Sequence, residues 1–274
     1  MRTHKTSVFI GLMSVAALAL PTSSHADALF GNDLAGDRKL PRTWGIGIDY
    51  FGMSQPYQLD GLTLALPQLE DLIPDPGILP IENEIRHTDI KIDVWVTPFL
   101  NVFGIYGRID GDTDINLGVL GLPLPPATNT LTIDYDGDVY GAGVVLAVGG
   151  DRWFASVTGT VTNSNLDGDF KSSVDATMIQ PRVGLRFGDH TEIWVGGYIL
   201  DAEEKHSGTI SLDLGPFVPI PADDVDFAVD LSQQEDFNWS IGTHMMLSDA
   251  WEATVEVGAG DRTTVLASFT YRFE

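Results

Sequence analysis

The chain has no cysteine among its 274 residues, so no disulfide supports the fold, whatever the redox state of its compartment. Basic residues are scarce as well: 15 Lys and Arg stand against 39 Asp and Glu, a formal net charge of −24. A phosphate backbone demands clustered Lys and Arg, so this balance excludes nucleic acid as a partner. It also argues against docking from outside onto an anionic membrane surface. Beyond the N-terminal region no segment stays apolar for 18 residues, which excludes a transmembrane helix. Helical periodicity is nearly absent.

What is present begins with a short apolar run. Arg2 and Lys5 precede VFIGLMSVAALAL, and Ser24-His25-Ala26 offers a small-x-small cleavage site. That pattern predicts a secretory signal peptide over 1–26, cleaved near Ala26. A bilayer span needs about 20 residues, more than this run supplies. Cleavage removes two basic residues and no acidic ones, so 13 basic remain against 39 acidic, a net charge of −26. Residues 27–41 then read as a short periplasmic N-terminal segment, and 42–274 as one β domain.

Within 42–274 the recurring signal is strict alternation over about 8 to 12 residues, the mark of a strand with two unlike faces. RTWGIGIDYFG puts Trp44, Ile46, Ile48 and Tyr50 on one face. TDIKIDVWV does the same with Ile90, Ile92 and Val94, and VYGAGVVLAV with Tyr140, Ala142, Val144, Leu146 and Val148. Counting such segments predicts ten strands. Short turns fall at 97–100, 149–152, 188–191 and 247–250; long acidic, Pro-rich or Gly-rich stretches, about 54–86, 112–131, 163–175 and 202–235, read as loops. Aromatics are sorted by height. Trp44, Trp153, Phe187, Trp251 and Phe273, with Tyr271 beside it, gather at the short-turn ends of apolar faces, while Tyr50, Tyr140 and Trp239 lie toward the other end. A soluble barrel has no reason for such sorting; two aromatic belts flanking an aliphatic band mark two membrane–water interfaces.

The last strand, TTVLASFTYRFE, alternates apolar residues and reaches an aromatic at Phe273, one residue before Glu274. This resembles the C-terminal assembly signal of Gram-negative outer-membrane β-barrels, small porin-like barrels among them; the terminal Glu274 departs from the usual pattern. The resemblance implies an all-β fold, a transmembrane antiparallel up-and-down barrel with short periplasmic turns and long extracellular loops. It also implies location in the cell outer membrane, assembly by the barrel assembly machinery, and lipid and lipopolysaccharide as neighbours. A monomer is expected. Closure requires 263–273 to pair with the strand around Trp44–Tyr50, so that no backbone edge is left in hydrocarbon.

The alternate faces define the expected lumen. Aligning apolar faces across 188–191 sets Val183 opposite Val195 and Arg186 opposite Glu192. Across 97–100, aligning Val94 with Phe103 brings Asp89 opposite Arg108 and Lys91 opposite Tyr106. Asp49, Asp93, Arg182, His244, Glu252, Glu256 and Arg272 also fall on inward positions. A ten-stranded barrel is narrow, so these residues predict a charged, constricted lumen. Porin-like passage or uptake of small solutes is the function expected first. A surface-exposed structural, adhesive or receptor-like barrel acting through its loops is the alternative.

Two further features stand out. IDGDTD (109–114) and DYDGD (134–138) carry carboxylates at alternate positions, so Asp110, Asp112, Asp114, Asp134, Asp136 and Asp138 are weak candidates for a loop-bound calcium or magnesium. The EF-hand spacing fails, with Ile115 where Gly belongs and Gly121 where Glu belongs. No cofactor is otherwise expected. His244 and Ser240 share an inner face, which raises a third reading, a lipid or ester hydrolase. No third group is placed to orient His244, so the chain is read as not an enzyme. Apolar stretches at 62–69, 77–81, 119–127 and 214–222 read as loop tips that pack on one another or gather over the mouth.

Overall fold

The computed structural model describes residues 28–35, 40–64, 79–120, 129–167, 171–188, 190–212, 223–234 and 236–274. The expected signal peptide, most of the four apolar loop stretches and parts of the long connections lie outside them. Eleven antiparallel strands run β1 Trp44–Leu64, β2 Ile81–Thr97, β3 Leu100–Asn116, β4 Thr130–Gly149, β5 Trp153–Asp167, β6 Lys171–Phe187, β7 Thr191–Leu212, β8 Asp223–Gln233, β9 Phe237–Met246, β10 Trp251–Ala259 and β11 Thr263–Phe273. β11 pairs with β1 from Trp44↔Phe273 to Ser54↔Thr263, closing the sheet into a barrel with no free edge at this level.

The barrel changes girth along its axis. At the short-turn end ten strands form the ring: β1 to β7, then β9, β10 and β11. β8 and β9 are collinear, since both pair with β7, β9 from Thr191 to Ile199 and β8 from Glu203 to Leu212. The β10–β11 hairpin is short, and beyond its turn β8 pairs directly with β1 from Tyr57 to Leu64. The outer storey is therefore an eight-stranded ring of β1 to β8. The stretch 202–235, expected to be a loop, supplies the upper part of β7 and all of β8. The acidic segments 109–114 and 134–138 are likewise strand, not loop.

The outward face of the ten-stranded storey is apolar. Ile46, Ile48, Ile92, Val144, Leu146, Val183, Val195 and Ile241 are all exposed there. Trp44, Trp153, Phe187 and Phe273 are exposed near the short turns, and Tyr50, Tyr140 and Trp239 near the opposite rim. Trp251 and Tyr271 are half-buried, because Trp251 stacks on Phe269 at 4.8 Å and lies 4.9 Å from Tyr271. An aliphatic band between two aromatic girdles is a lipid-facing surface. In the outer storey the faces invert: Asp60, Glu82, Glu84, Asp110, Asp134 and Asp136 point outward, while Ile81, Ile85, Ile109, Ile133 and Val139 are buried inside. This part of the barrel stands clear of the hydrocarbon as a water-facing β-structure.

One register differs from expectation. β2 and β3 pair as Val94↔Val102 and Asp89↔Gly107, after a shift between Trp95↔Asn101 and Thr97↔Leu100. A β-bulge at the turn absorbs one residue, and a one-residue slip sends every side chain to the other face. Phe103 and Ile105 therefore line the interior, and Arg108 faces outward with 65 % of its side chain exposed. The bulge leaves the Trp95 and Val96 carbonyls outside the ladder. They accept hydrogen bonds from the Leu29 and Phe30 amides, at 3.0 and 2.9 Å, which docks the N-terminal segment at this end.

Candidate functional site

The interior is layered, and β1 and β2 show the layers in the same order. Inward positions of β2 run Asp93, Lys91, Asp89, His87, then Ile85, then Asn83, then Ile81; those of β1 run Asp49, then Phe51 and Met53, then Gln55, then Tyr57 and Leu59. Phe51, Met53, Ile85, Ile109, Val139, Val174 and Leu200 belong to one apolar cluster. Tyr57, Leu59, Ile81, Ile115, Ile133, Phe227 and Leu231 form a second, further out. From the short-turn end outward, the barrel thus holds a charged layer, an apolar layer, a polar layer and an apolar cap.

The charged layer is built of close polar pairs, among them Arg272–Asp93 and Arg182–Glu256, which join strands that are not neighbours in the sheet. Arg272 Nη1 donates to Asp93 at 2.9 Å and its Nε lies 2.8 Å from Glu252, while His244 approaches Glu252 at 3.4 Å. Lys91 pairs with Asp49 at 2.9 Å and also donates to Ser268 at 3.2 Å. His87 and Asp89 pair at 2.5 Å, and Arg186 and Glu192 at 2.7 Å. Arg182 pairs with the fully buried Glu256, which also accepts from Ser240 Oγ at 2.6 Å. Glycines let these groups sit close to the wall: a Cβ on Gly107 would lie 2.5 Å from Asp89 Oδ1, tighter than any real contact. Of the residues expected on the inward face, Arg108 and Tyr106 are placed outside, by the bulge. Ser240 and His244 face different carboxylates, Glu256 and Glu252, and do not hydrogen-bond each other among the contacts described.

Between the charged layer and the first apolar cluster the barrel encloses a cavity of about 260 Å³. Its apolar lining includes Phe51, Ile85, Phe103, Ile109, Met178 and Leu266. Its polar lining includes the Asp49–Lys91 pair, Arg182 and a column of hydroxyls on β5, Thr158, Thr160, Thr162 and Ser164. The column follows from alternation, since every second residue of β5 points inward. Thr158 Oγ1 and Arg182 Nε are buried beside the cavity and have no hydrogen-bond partner among the described residues.

The polar layer above was not legible as a site. Glu204 is wholly buried and accepts from Thr113 Oγ1 at 3.1 Å and Asn83 Nδ2 at 3.3 Å. It also meets His206 Nε2, whose Nδ1 lies 2.6 Å from Ser172 Oγ. Burial, followed by the charge of Glu204, pushes the Tyr57 and Tyr135 hydroxyls well above the ordinary tyrosine range. The stretch 202–235 reads as a loop in the sequence, which gives Glu204 and His206 no face, and only the closed barrel brings Ser172, Asn83 and Thr113 to them.

The acidic candidates form two rungs on the outer face rather than a cage. Asp110 is opposite Asp136 and Asp112 opposite Asp134, while Asp114 faces Thr132 and Asp138 faces Arg108. Arg108 bridges Asp136 and Asp138, at 3.0 and 3.1 Å, and Arg86 reaches Asp110 at 3.8 Å. Among the described residues no group of three or more acidic, His or Cys side chains is arranged to hold a metal ion. Burial, then the charges of Glu84 and Asp114, raise the Asp112 carboxyl above its ordinary value, with Arg86 opposing.

No protein-family model and no curated protein matches this chain. Solved structures similar to it include the outer membrane protein OprG from Pseudomonas aeruginosa (7 % identity over 85 % of this chain and 98 % of that one, TM-score 0.42). The outer membrane protease OmpT from Escherichia coli is similar at 7 % identity over 85 % of this chain and 97 % of that one, TM-score 0.42. The transport unit of the autotransporter AIDA-I from Escherichia coli is similar at 10 % identity over 91 % and 95 %, TM-score 0.40. Likeness at this level carries no argument about activity.

Proposed function

We propose that this chain is an outer-membrane barrel that takes one small amphipathic solute into its bilayer-level cavity, as a step in uptake. The carrying observation is the interior cavity lined by both apolar side chains, Phe51, Phe103 and Met178 among them, and polar ones, Lys91, Arg182 and the β5 hydroxyls. Its volume of about 260 Å³ lies below the roughly 300–1,000 Å³ of pockets for drug-sized ligands, so the guest is small. Tyr57, Ile81, Ile133 and Leu231 are at most 1 % exposed, so the outer end is packed shut, unlike a standing aqueous pore. Passage therefore needs an opening step, and the acidic lumen favours neutral or cationic guests over anions.

The full chain in detergent micelles, titrated with 1-naphthol and followed by the probe's fluorescence, tests this reading. Saturable one-to-one binding is expected, lost in Ala176→Phe, which fills the cavity. Absence of saturable binding to the folded wild type would sink the proposal. In planar bilayers no steady ohmic conductance is expected; a stable open channel would restore the simple porin reading instead.

A further inference from the structure

Ser172, His206 and Glu204 lie in the outer storey, away from the solute cavity, and nothing in solute binding uses them. Ser172 and His206 are cross-strand partners on β6 and β7, and Glu204 is two residues along β7 on the same inward face. Ser172 is partly exposed, whereas His206 is 2 % and Glu204 0 % exposed.

The donors around Glu204 favour one tautomer of His206. Thr113 and Asn83 donate to Glu204, which marks it as an acceptor, so His206 Nε2 carries the proton that meets its carboxylate. Nδ1 is then left with a lone pair facing Ser172 Oγ at 2.6 Å. Nucleophile, base and orienting carboxylate are in line, with the two imidazole nitrogens exchanged relative to the usual serine-hydrolase triad. Tyr135 packs 5.5 Å from the imidazole, which, with Asn83 and Thr113 on Glu204, holds the ring against rotation. A buried ionic pair is weak evidence of a stabilising role, and nothing in the wall requires a hydroxyl on the imidazole's outer nitrogen.

We infer that Ser172 is an activated nucleophile toward acyl esters reaching the outer end of the barrel. His206 is its general base and Glu204 a positioning residue. In the first step Ser172 Oγ bonds to the ester carbonyl carbon and its proton passes to His206 Nδ1. The ester C–O bond then breaks and the leaving alkoxide takes that proton, departing as an alcohol. Water next attacks the acyl-Ser172 carbonyl, giving its proton through His206 to the departing serine oxygen and releasing a carboxylic acid. No oxidant, reductant or metal is needed.

The test is covalent labelling of the full, folded chain in detergent micelles with a fluorescent fluorophosphonate, which traps an activated serine by P–O bond formation and loss of fluoride. Stoichiometric labelling on the peptide containing Ser172 is expected. It should vanish in Ser172→Ala and slow by roughly 10²–10⁴-fold in His206→Gln, the usual contribution of general acid–base catalysis. Glu204→Gln should slow it and displace the pH profile of labelling, which a merely structural carboxylate would leave alone. Heat-modifiable gel migration checks that each variant is folded. No labelling of the folded wild type overturns the inference, as does labelling at the same rate in folded His206→Gln.

Discussion

Arg182→Met puts the charged layer to a quantitative test. Glu256 is fully buried, and its neighbours are Arg182 and the Ser240 hydroxyl at 2.6 Å. Methionine keeps most of the apolar stem but removes the cation, leaving the carboxylate with one hydroxyl donor. Breaking a buried pair by removing one partner costs about 3–5 kcal/mol. Loss of the guanidinium 5.2 Å over the Trp194 ring adds about 0.5–1 kcal/mol. A destabilisation of about 4 kcal/mol is therefore expected, within the spread of these magnitudes. Adding Glu256→Gln removes the uncompensated charge, so the double variant should lose only about 1–2 kcal/mol, as for ordinary hydrogen bonds. Urea titration of the chain refolded into lipid vesicles, read by intrinsic tryptophan fluorescence, gives both values if the slope is unchanged. A single variant within 1 kcal/mol of wild type refutes the reasoning, and so does a double variant no more stable than the single.

Two further outcomes follow from the two storeys. Leu146→Arg, outward in the apolar band of β4, should cost about 2–4 kcal/mol as a charge in hydrocarbon, while Asp136→Arg, outward higher on the same strand, should cost at most about 1 kcal/mol for its exposed pair with Arg108; equal costs in vesicle unfolding would place the lipid boundary elsewhere. Asp112 has a carboxyl raised above 3.8 by burial and by Glu84 and Asp114, so the folded state holds that proton more tightly than the unfolded chain. Its contribution is present at low pH and is lost as pH rises through the raised value. Asp112→Asn should flatten that decline and stabilise the barrel at pH 7 by roughly 0.2–1 kcal/mol, the scale of a relieved cross-strand repulsion; an unchanged unfolding profile between pH 4 and 7 counts against it.

The lipid-facing wall was legible because it obeys a purely local rule. Ile46, Ile48, Val144, Leu146 and their neighbours alternate with small or polar partners, and alternation alone says which residues share a face. Closure was legible for a physical reason too, since 263–273 has no other way to satisfy its backbone than by pairing with β1. Register across the β2–β3 turn was not legible. A single bulged residue at Val96 inverted every assignment on β3, moving Phe103 and Ile105 inward and Arg108 outward, and nothing in VTPFLN announces a bulge. The polar layer was hidden for another reason. Glu204, His206, Asn83, Thr113 and Ser172 lie on four strands, and contacts across a lumen are not a function of spacing within any one strand.

The outer storey does leave a trace in the sequence, though not one that hydrophobicity summed over a window can show. On β1 the apolar residues sit at even positions through Trp44, Ile46, Ile48 and Tyr50, then at odd positions through Phe51, Met53, Tyr57 and Leu59. On β2 they move from odd, Ile81 and Ile85, to even, Ile90, Ile92 and Val94; on β4 from odd, Ile133, Tyr135 and Val139, to even, Tyr140 through Val148. β7 makes the same exchange, from Ile193, Val195 and Ile199 to Leu200 and Ala202, whereas on β3 Phe103 and Ile105 already face inward at bilayer level. The backbone keeps its pleat through these points, so the side chains have not turned over; the solvent on the outside has changed from lipid to water. In lipid the apolar set must face out, and in water it must face in, on one continuous strand. The alternate aspartates of IDGDTDI and IDYDGDV, which read as loops or a cation site, are the outward half of that second pattern, with Ile109, Ile115, Ile133 and Val139 as its inward half. A switch of apolar parity within an unbroken strand thus marks where a barrel wall leaves the bilayer, and β1, β2, β4 and β7 carry it.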